Sequence, residues 1–221
     1  MTATPKTRFY AQLARITIIS YQLILLLLLF LRPDIDPSWH SISEWAIGRY
    51  GWVMTAGFLI SSVSYASVFM LLKKEVSGKM GKVGILLLVV CTLGTFGVGI
   101  FTTDPIQMLG HPTARGLLHI ICGTSALVLF PFSALLISLD ISRRNQNWSY
   151  YKHGLCYAAF IPLAGFLFFV GYTAIDVVPH GPNAYGPGVH IGWPPRAAFF
   201  CYMSWIVIIA SMYLRRRNTP G

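Results

Sequence analysis

The residues able to carry chemistry are unevenly placed along this chain. Five of the six histidines (His40, His111, His119, His180, His190) and five of the seven acids (Asp34, Asp36, Glu44, Asp104, Asp176) fall in, or just inside, three connections of an otherwise apolar sequence. A histidine with a carboxylate beside it can move a proton or hold an activated water. The sharpest such pair is Asp104 and His119. Pro105 should end one helix just after Asp104, and His119 follows Arg115 by four residues at the start of the next apolar run. A histidine at that depth should face protein rather than lipid, and Asp104 is the acid nearest in sequence to orient it. A catalytic role and a plain His–Asp tie between two helices are both open for this pair.

The first connection, from Asp36 to Gly48, offers a second group. Asp36 as an N-cap with Pro37 at the first helical position predicts a short helix lying in the membrane interface. Trp39, Ile42 and Ala46 make its apolar stripe, with His40 and Glu44 as i, i+4 partners on another face. His40, Ser43 and Glu44 then either face a cavity between helix ends or belong to a capped anchor. The fifth connection runs from Asp176 through His180 and His190 to Pro195 and is rich in Gly and Pro, so it is expected to be non-helical. As a lid it would bring His180 and His190 toward Asp176 and His119; a surface loop is the alternative. His119, Asp104, His180 and His190 supply the ligand types for zinc or another divalent ion, but their spacing fits no metal-site template. Haem held between helices would need facing histidines within the bilayer, and only His119 is deep enough, which argues against a cytochrome.

The elements that must position these residues are six apolar runs: 16–31, 51–72, 83–101, 117–139, 154–175 and 197–214. Each approaches the ~20 residues a helix needs to cross hydrocarbon, and none holds an internal Lys, Arg, Asp or Glu. The expected fold is therefore an all-α membrane protein, one bundle of six transmembrane helices spanning 1–221. The runs lack the alternating polarity of a β-barrel. A soluble globule is excluded by 55% hydrophobic against 11% charged residues. The net charge of +10 would suggest a nucleic-acid partner in a soluble protein, but its placement gives another meaning. Thirteen cations (Lys6, Arg8, Arg15, Lys73, Lys74, Lys79, Lys82, Arg143, Arg144, Lys152 and Arg215 to Arg217) fall in the tails and the second and fourth connections. The other three connections hold only Arg32, Arg49, Arg115 and Arg196. This is the positive-inside pattern, with both termini cytoplasmic and no nucleic-acid partner implied. Arg32-Pro33-Asp34 follows the first run where a signal peptide would have small residues, so that run is expected to be retained. Cys91, Cys122, Cys156 and Cys201 all lie inside runs and read as packed free thiols. Cys91, Thr95 and Gly99, at four-residue spacing, would let helices approach closely.

The segment from Pro37 to Glu44, Gly51-Trp52, and Gly99-Ile100-Phe101-Thr102-Thr103-Asp104 ahead of Gly116-Leu117-Leu118-His119 resemble the bacterial multi-pass membrane family catalogued as domain of unknown function 998. Ile42-Ser43-Glu44 and His119 are also similar, more distantly, to elements of the eukaryotic six-helix DRAM-type proteins. The resemblance implies a cell-membrane protein (cytoplasmic membrane if bacterial). It raises Ser43, Glu44, Asp104 and His119 over the fifth-connection histidines.

Two functions remain in view, a transporter being less favoured because no inverted repeat is legible. One is a binding or accessory subunit whose outward cavity holds a lipid or a partner membrane protein, with His40, Ser43, Arg115 and Asp176 among its polar groups. The other is an intramembrane lipid hydrolase or transferase using Glu44, Asp104 and His119 with a divalent metal or an activated water. The orientation is directly testable. A cysteine introduced by Lys79→Cys should resist a membrane-impermeant thiol reagent applied to intact cells; labelling would reverse the topology.

Overall fold

The computed structural model describes residues 4–108, 110–181 and 185–215, so Arg216 and Arg217 lie outside the described residues. Six helices, α1 (Pro5–Leu31), α2 (Gly51–Leu72), α3 (Lys79–Ile100), α4 (Ala114–Arg144), α5 (Lys152–Tyr172) and α6 (Trp193–Arg215), are each long and apolar enough to cross a membrane. No strand occurs among the described residues. Local signals set several boundaries. Pro5 opens α1 behind Thr4, whose hydroxyl accepts from Thr7 N at 3.2 Å, so the helix starts well before the apolar run at Ile16. Thr113 caps α4 by accepting from Gly116 N at 3.1 Å, and Pro194 and Pro195 sit in the first turn of α6.

Two loop expectations need correcting. The short helix of the first loop does not start at Pro37: it is a 3₁₀ turn over Ile42–Ala46, because Ser41 and Glu44 form a reciprocal capping box there. Asp36 instead closes a local turn by accepting from Ser38 N at 2.8 Å. The fifth loop is helical at its start. A π turn over Thr173–Val177 and a 3₁₀ turn over Val178–His180 continue α5 until Gly181, at φ 87°, ends it. Pro179 is tolerated because it stands in the first turn of its segment, where its missing N–H leaves no bond unmade.

Each helix packs on its neighbours in sequence, and α1 closes the ring against α6. Loops 1, 3 and 5 meet at one end, the odd-loop end; loops 2 and 4 meet at the other. Inside the bundle, hydroxyls bridge helices to main-chain carbonyls: Ser64 to Ala14, Ser133 to Gly84 and Tyr213 to Leu71, each at 2.8 Å. Where lipid surrounds a bundle, such bonds and close backbone approach hold helices together, since burial from lipid gives little hydrophobic gain. Pro131 inside α4 has no N–H for the Leu127 carbonyl one turn back, and Tyr202 of α6 donates to that carbonyl at 2.8 Å instead. The break in one helix is thus a joint to another.

The α3–α4 contact is the most extensive in the bundle. It depends on glycine: a Cβ at Gly94 would stand 2.6 Å from the Cys122 carbonyl oxygen. Of the stripe expected to give close approach, Cys91 and Thr95 are buried and Gly99 faces Leu59 of α2, so the tightest contact to α4 is on another face. Gly94→Leu should force α3 from α4 and destabilise by the ~1–3 kcal/mol typical of overpacking. Gly171→Leu, where a Cβ meets nothing within 4 Å, should not. The thermal unfolding midpoints of the two variants in detergent make the comparison.

Candidate functional site

The site is a cavity of about 370 Å³ inside the odd-loop end, bounded by side chains from all six helices and from loops 1, 3 and 5. Ser41, Ile42 and Ser43 line its loop end with Pro105, Ile106 and Ile191, while Tyr21, Phe58, Tyr65, His119, Leu127 and Met203 line it deeper in the bundle.

His119 is 6% exposed and lies on the second turn of α4. Its Nδ1 stands 2.7 Å from the Phe101 carbonyl oxygen, an acceptor, so Nδ1 carries a proton and, in the neutral ring, Nε2 keeps a lone pair. Phe58 packs edge-on to the ring, the centroids 6.1 Å apart. The expected orienting bond from Asp104 is not made. Asp104 accepts from Thr113 N at 2.7 Å and from Thr113 Oγ1 at 2.9 Å, over the positive end of α4. A Cβ at Gly116 would run into that carboxylate, so glycine is what admits it. Asp104 and His119 line one cavity, each bound to its own partner.

Glu44 is 4% exposed and both its oxygens are occupied. One accepts from Ser41 N and the other from Ile106 N, each at 2.9 Å, which ties loop 1 to loop 3. It does not pair with His40, whose Nδ1 is 3.1 Å from the Asp36 carbonyl and whose ring stacks on Trp39. Ser43 lines the cavity with its hydroxyl 3.0 Å from that of Ser41. Arg115 is exposed on the first turn of α4 and is not part of the lining.

In loop 5, Asp176 accepts from His190 N at 3.1 Å, with His190 Nδ1 3.9 Å from the same carboxylate oxygen, and the Asp176 carbonyl is 2.6 Å from His180 Nδ1. The expected approach of these histidines to Asp176 therefore occurs, but both rings are exposed and neither lines the cavity. Among the described residues, no three His, Cys, Asp or Glu side chains come together as a metal-binding group. The proposed quartet of His119, Asp104, His180 and His190 is therefore divided between the cavity and loop 5, because each polar group already has a nearer partner.

Sequence reasoning missed Arg196, counted only as a cation, and two phenols. Arg196 Nη1 donates to the carbonyls of Pro37, His40 and Gly192 at 2.8 to 2.9 Å, and the guanidinium lies 4.6 Å from the centre of the Trp45 ring. It joins loops 1 and 5 at the rim. Arg32 does the same within loop 1, donating to the Ile47 and Arg49 carbonyls at 2.6 and 2.9 Å while its other nitrogens hold Asp34. That pairing keeps the Asp34 carboxyl below the usual aspartate range and raises Arg32; the bond from Ser38 N lowers Asp36. Tyr21 and Tyr65 were counted with the apolar spans, yet both line the cavity. The signal available was position: tyrosines in spans favour the interfaces, and these two lie well inside.

Fold and site together define a six-helix integral membrane protein with a chamber between its helices at one end. The chain belongs to the family described as Protein of unknown function (DUF998), whose match covers residues 16–212. No curated protein and no solved structure matches it.

The roof of this cavity makes a direct prediction. Glu44→Ala leaves two main-chain donors, Ser41 N and Ile106 N, without their acceptor and should cost several kcal/mol, at ~1–3 kcal/mol for each buried unpaired group. Glu44→Gln keeps one acceptor oxygen and should lose less. Unfolding of the two variants in detergent would show equal loss if the carboxylate had no such bridging role.

Proposed function

We propose that the protein is a binding or accessory protein that holds an apolar ligand, drawn from membrane lipid, in the chamber at its odd-loop end. The observation that carries this reading is the cavity itself, about 370 Å³ and lined mainly by aliphatic and aromatic side chains with a few polar groups, the usual character of a small-molecule site. The cation pattern supports a cytoplasmic-membrane orientation with both termini inside and the chamber on the outer side. The alternative of a lipid hydrolase or transferase has less support. It requires Glu44 and Asp104 to serve water or a metal, and their oxygens already take donors from Ser41, Ile106 and Thr113.

Gly123 lines the cavity, and a Cβ there meets only a Val98 methyl at 3.4 Å, so leucine can be placed at that point without disturbing the backbone. Native mass spectrometry of the gently solubilised protein should find a lipid retained by the wild type and lost from Gly123→Leu. A wild type that carries no lipid, or a variant that carries the same lipid, overturns the reading.

A further inference from the structure

Tyr21 and Tyr65 are the feature of the chamber that neither fold nor loop network accounts for. They are 3% and 2% exposed, and neither hydroxyl has a hydrogen-bond partner among the described residues. Neither oxygen is among the buried polar atoms sealed off inside the protein, so both open into the cavity their side chains line. Native interiors rarely leave such groups unmet. The other buried hydroxyls of the lining donate to carbonyls of their own helices, Ser61 to Phe58 at 3.0 Å and Thr95 to Cys91 at 2.7 Å. The two phenols are therefore the buried lining hydroxyls left with a proton to offer. At about 1.5 Å of rise per residue they lie roughly 15 Å (Tyr21) and 21 Å (Tyr65) along their helices from the odd-loop end. His119 Nε2, an acceptor, lies at roughly 8 Å on the same scale.

The charges of the lining point the same way. Among the described residues no lysine or arginine is part of the lining, and the one acid of the lining, Asp104, takes both bonds from Thr113. The nearest cation, Arg196, stands at the rim with Nη1 bound to three carbonyls and with Asp36 and Glu44 as the carboxylates that balance its charge. A charged head group carried past the rim to the depth of the two phenols would leave Arg196 behind and enter apolar surroundings with no charged side chain in the lining to pair with it, which is costly at this depth. We propose that the chamber selects an uncharged lipid bearing a hydroxyl or carbonyl oxygen, and that this oxygen enters first and is seated by the Tyr21 and Tyr65 hydroxyls. The proposal rests on the chamber's being a ligand site and adds what the ligand must carry.

The test uses four probes with one chain length and different ends: oleyl alcohol, octadecene, oleylamine and sodium oleate, titrated into the full-length protein in lipid nanodiscs. Oleyl alcohol should bind about fivefold tighter than octadecene, the size of one net hydrogen bond. Tyr21→Phe and Tyr65→Phe keep the rings that pack on Phe58 and Phe130, so the variants should fold. Each should shrink the advantage of the alcohol, and the double variant should erase it while octadecene binding stays unchanged. Equal binding of alcohol and octadecene by the wild type would mean that the phenols are met by trapped water, and it would overturn this proposal while leaving the chamber a lipid site. An advantage that survives the double variant, or a preference for oleate or oleylamine, overturns it as well. If none of the four binds, the ligand-site reading fails with it.

Discussion

Where a helix ends at the edge of hydrocarbon, its main-chain N–H groups must find acceptors within the protein, because little water is present to take them. In this chain the buried carboxylates of Glu44 and Asp140 meet that need, and Asp36, Asp104 and Asp176 take N–H groups at exposed loop positions. At the odd-loop end Glu44 joins loop 1 to loop 3. At the opposite end the fully buried Asp140 accepts from Ser77 N and Gly78 N, and Glu75 accepts from Asn145 and the Trp148 indole, so loop 2 is held to loop 4. Without these bridges the irregular segments would have unpaired donors, and the helices would be tied only through their sides.

Between the two ends, shape and hydroxyls hold the bundle. Gly94 lets α3 lie against the α4 backbone, and Tyr202 replaces the bond that Pro131 cannot make. The cavity is open where this tight packing gives way to aromatic rings. Phe58 stands between Tyr21 and His119, with ring centroids 6.2 and 6.1 Å away, and Tyr65 packs on Phe130 at 5.1 Å. Rings are stiff, with few torsions, so they bound a space without collapsing into it.

The six spans were legible because each is a long apolar run, a signal that needs no knowledge of partners. Their ends were less so: α1 reaches back to Pro5 and α4 runs on to Arg144 because polar turns continue a helix that the hydropathy window does not count. His119 was legible as a histidine inside such a run. Its partner was not, since Nδ1 goes to a main-chain carbonyl, that of Phe101, and a carbonyl belongs to every residue alike. The same difficulty explains the acids. Their gathering at one end points to chemistry in the sequence alone, whereas Glu44 and Asp104 serve N–H groups of Ser41, Ile106 and Thr113, which carry no mark in the sequence. Tyr21 and Tyr65 are illegible for the opposite reason, that a phenol counts as apolar in a span until a cavity gives its hydroxyl somewhere to point.

The clamps and the chamber are built from adjoining residues, and for the proposed lipid ligand this limits the way in. Ser43 precedes Glu44, Ile106 is itself the donor to Glu44, Ile191 precedes the Gly192 whose N–H bonds the Ser38 carbonyl at 2.9 Å, and Pro195 precedes Arg196. Lifting the roof would break the Glu44–Ile106 bond, the Arg196 bonds and the Gly192 bond together. Each leaves a poorly solvated group unpaired, at about 1–3 kcal/mol apiece, and all three must open at once. Parting two helix sides breaks fewer such bonds and exposes apolar side chains to lipid tails that accept them without penalty. On the proposed reading of the chamber as a lipid site, the network that fixes the odd-loop end thus favours entry sideways from the bilayer.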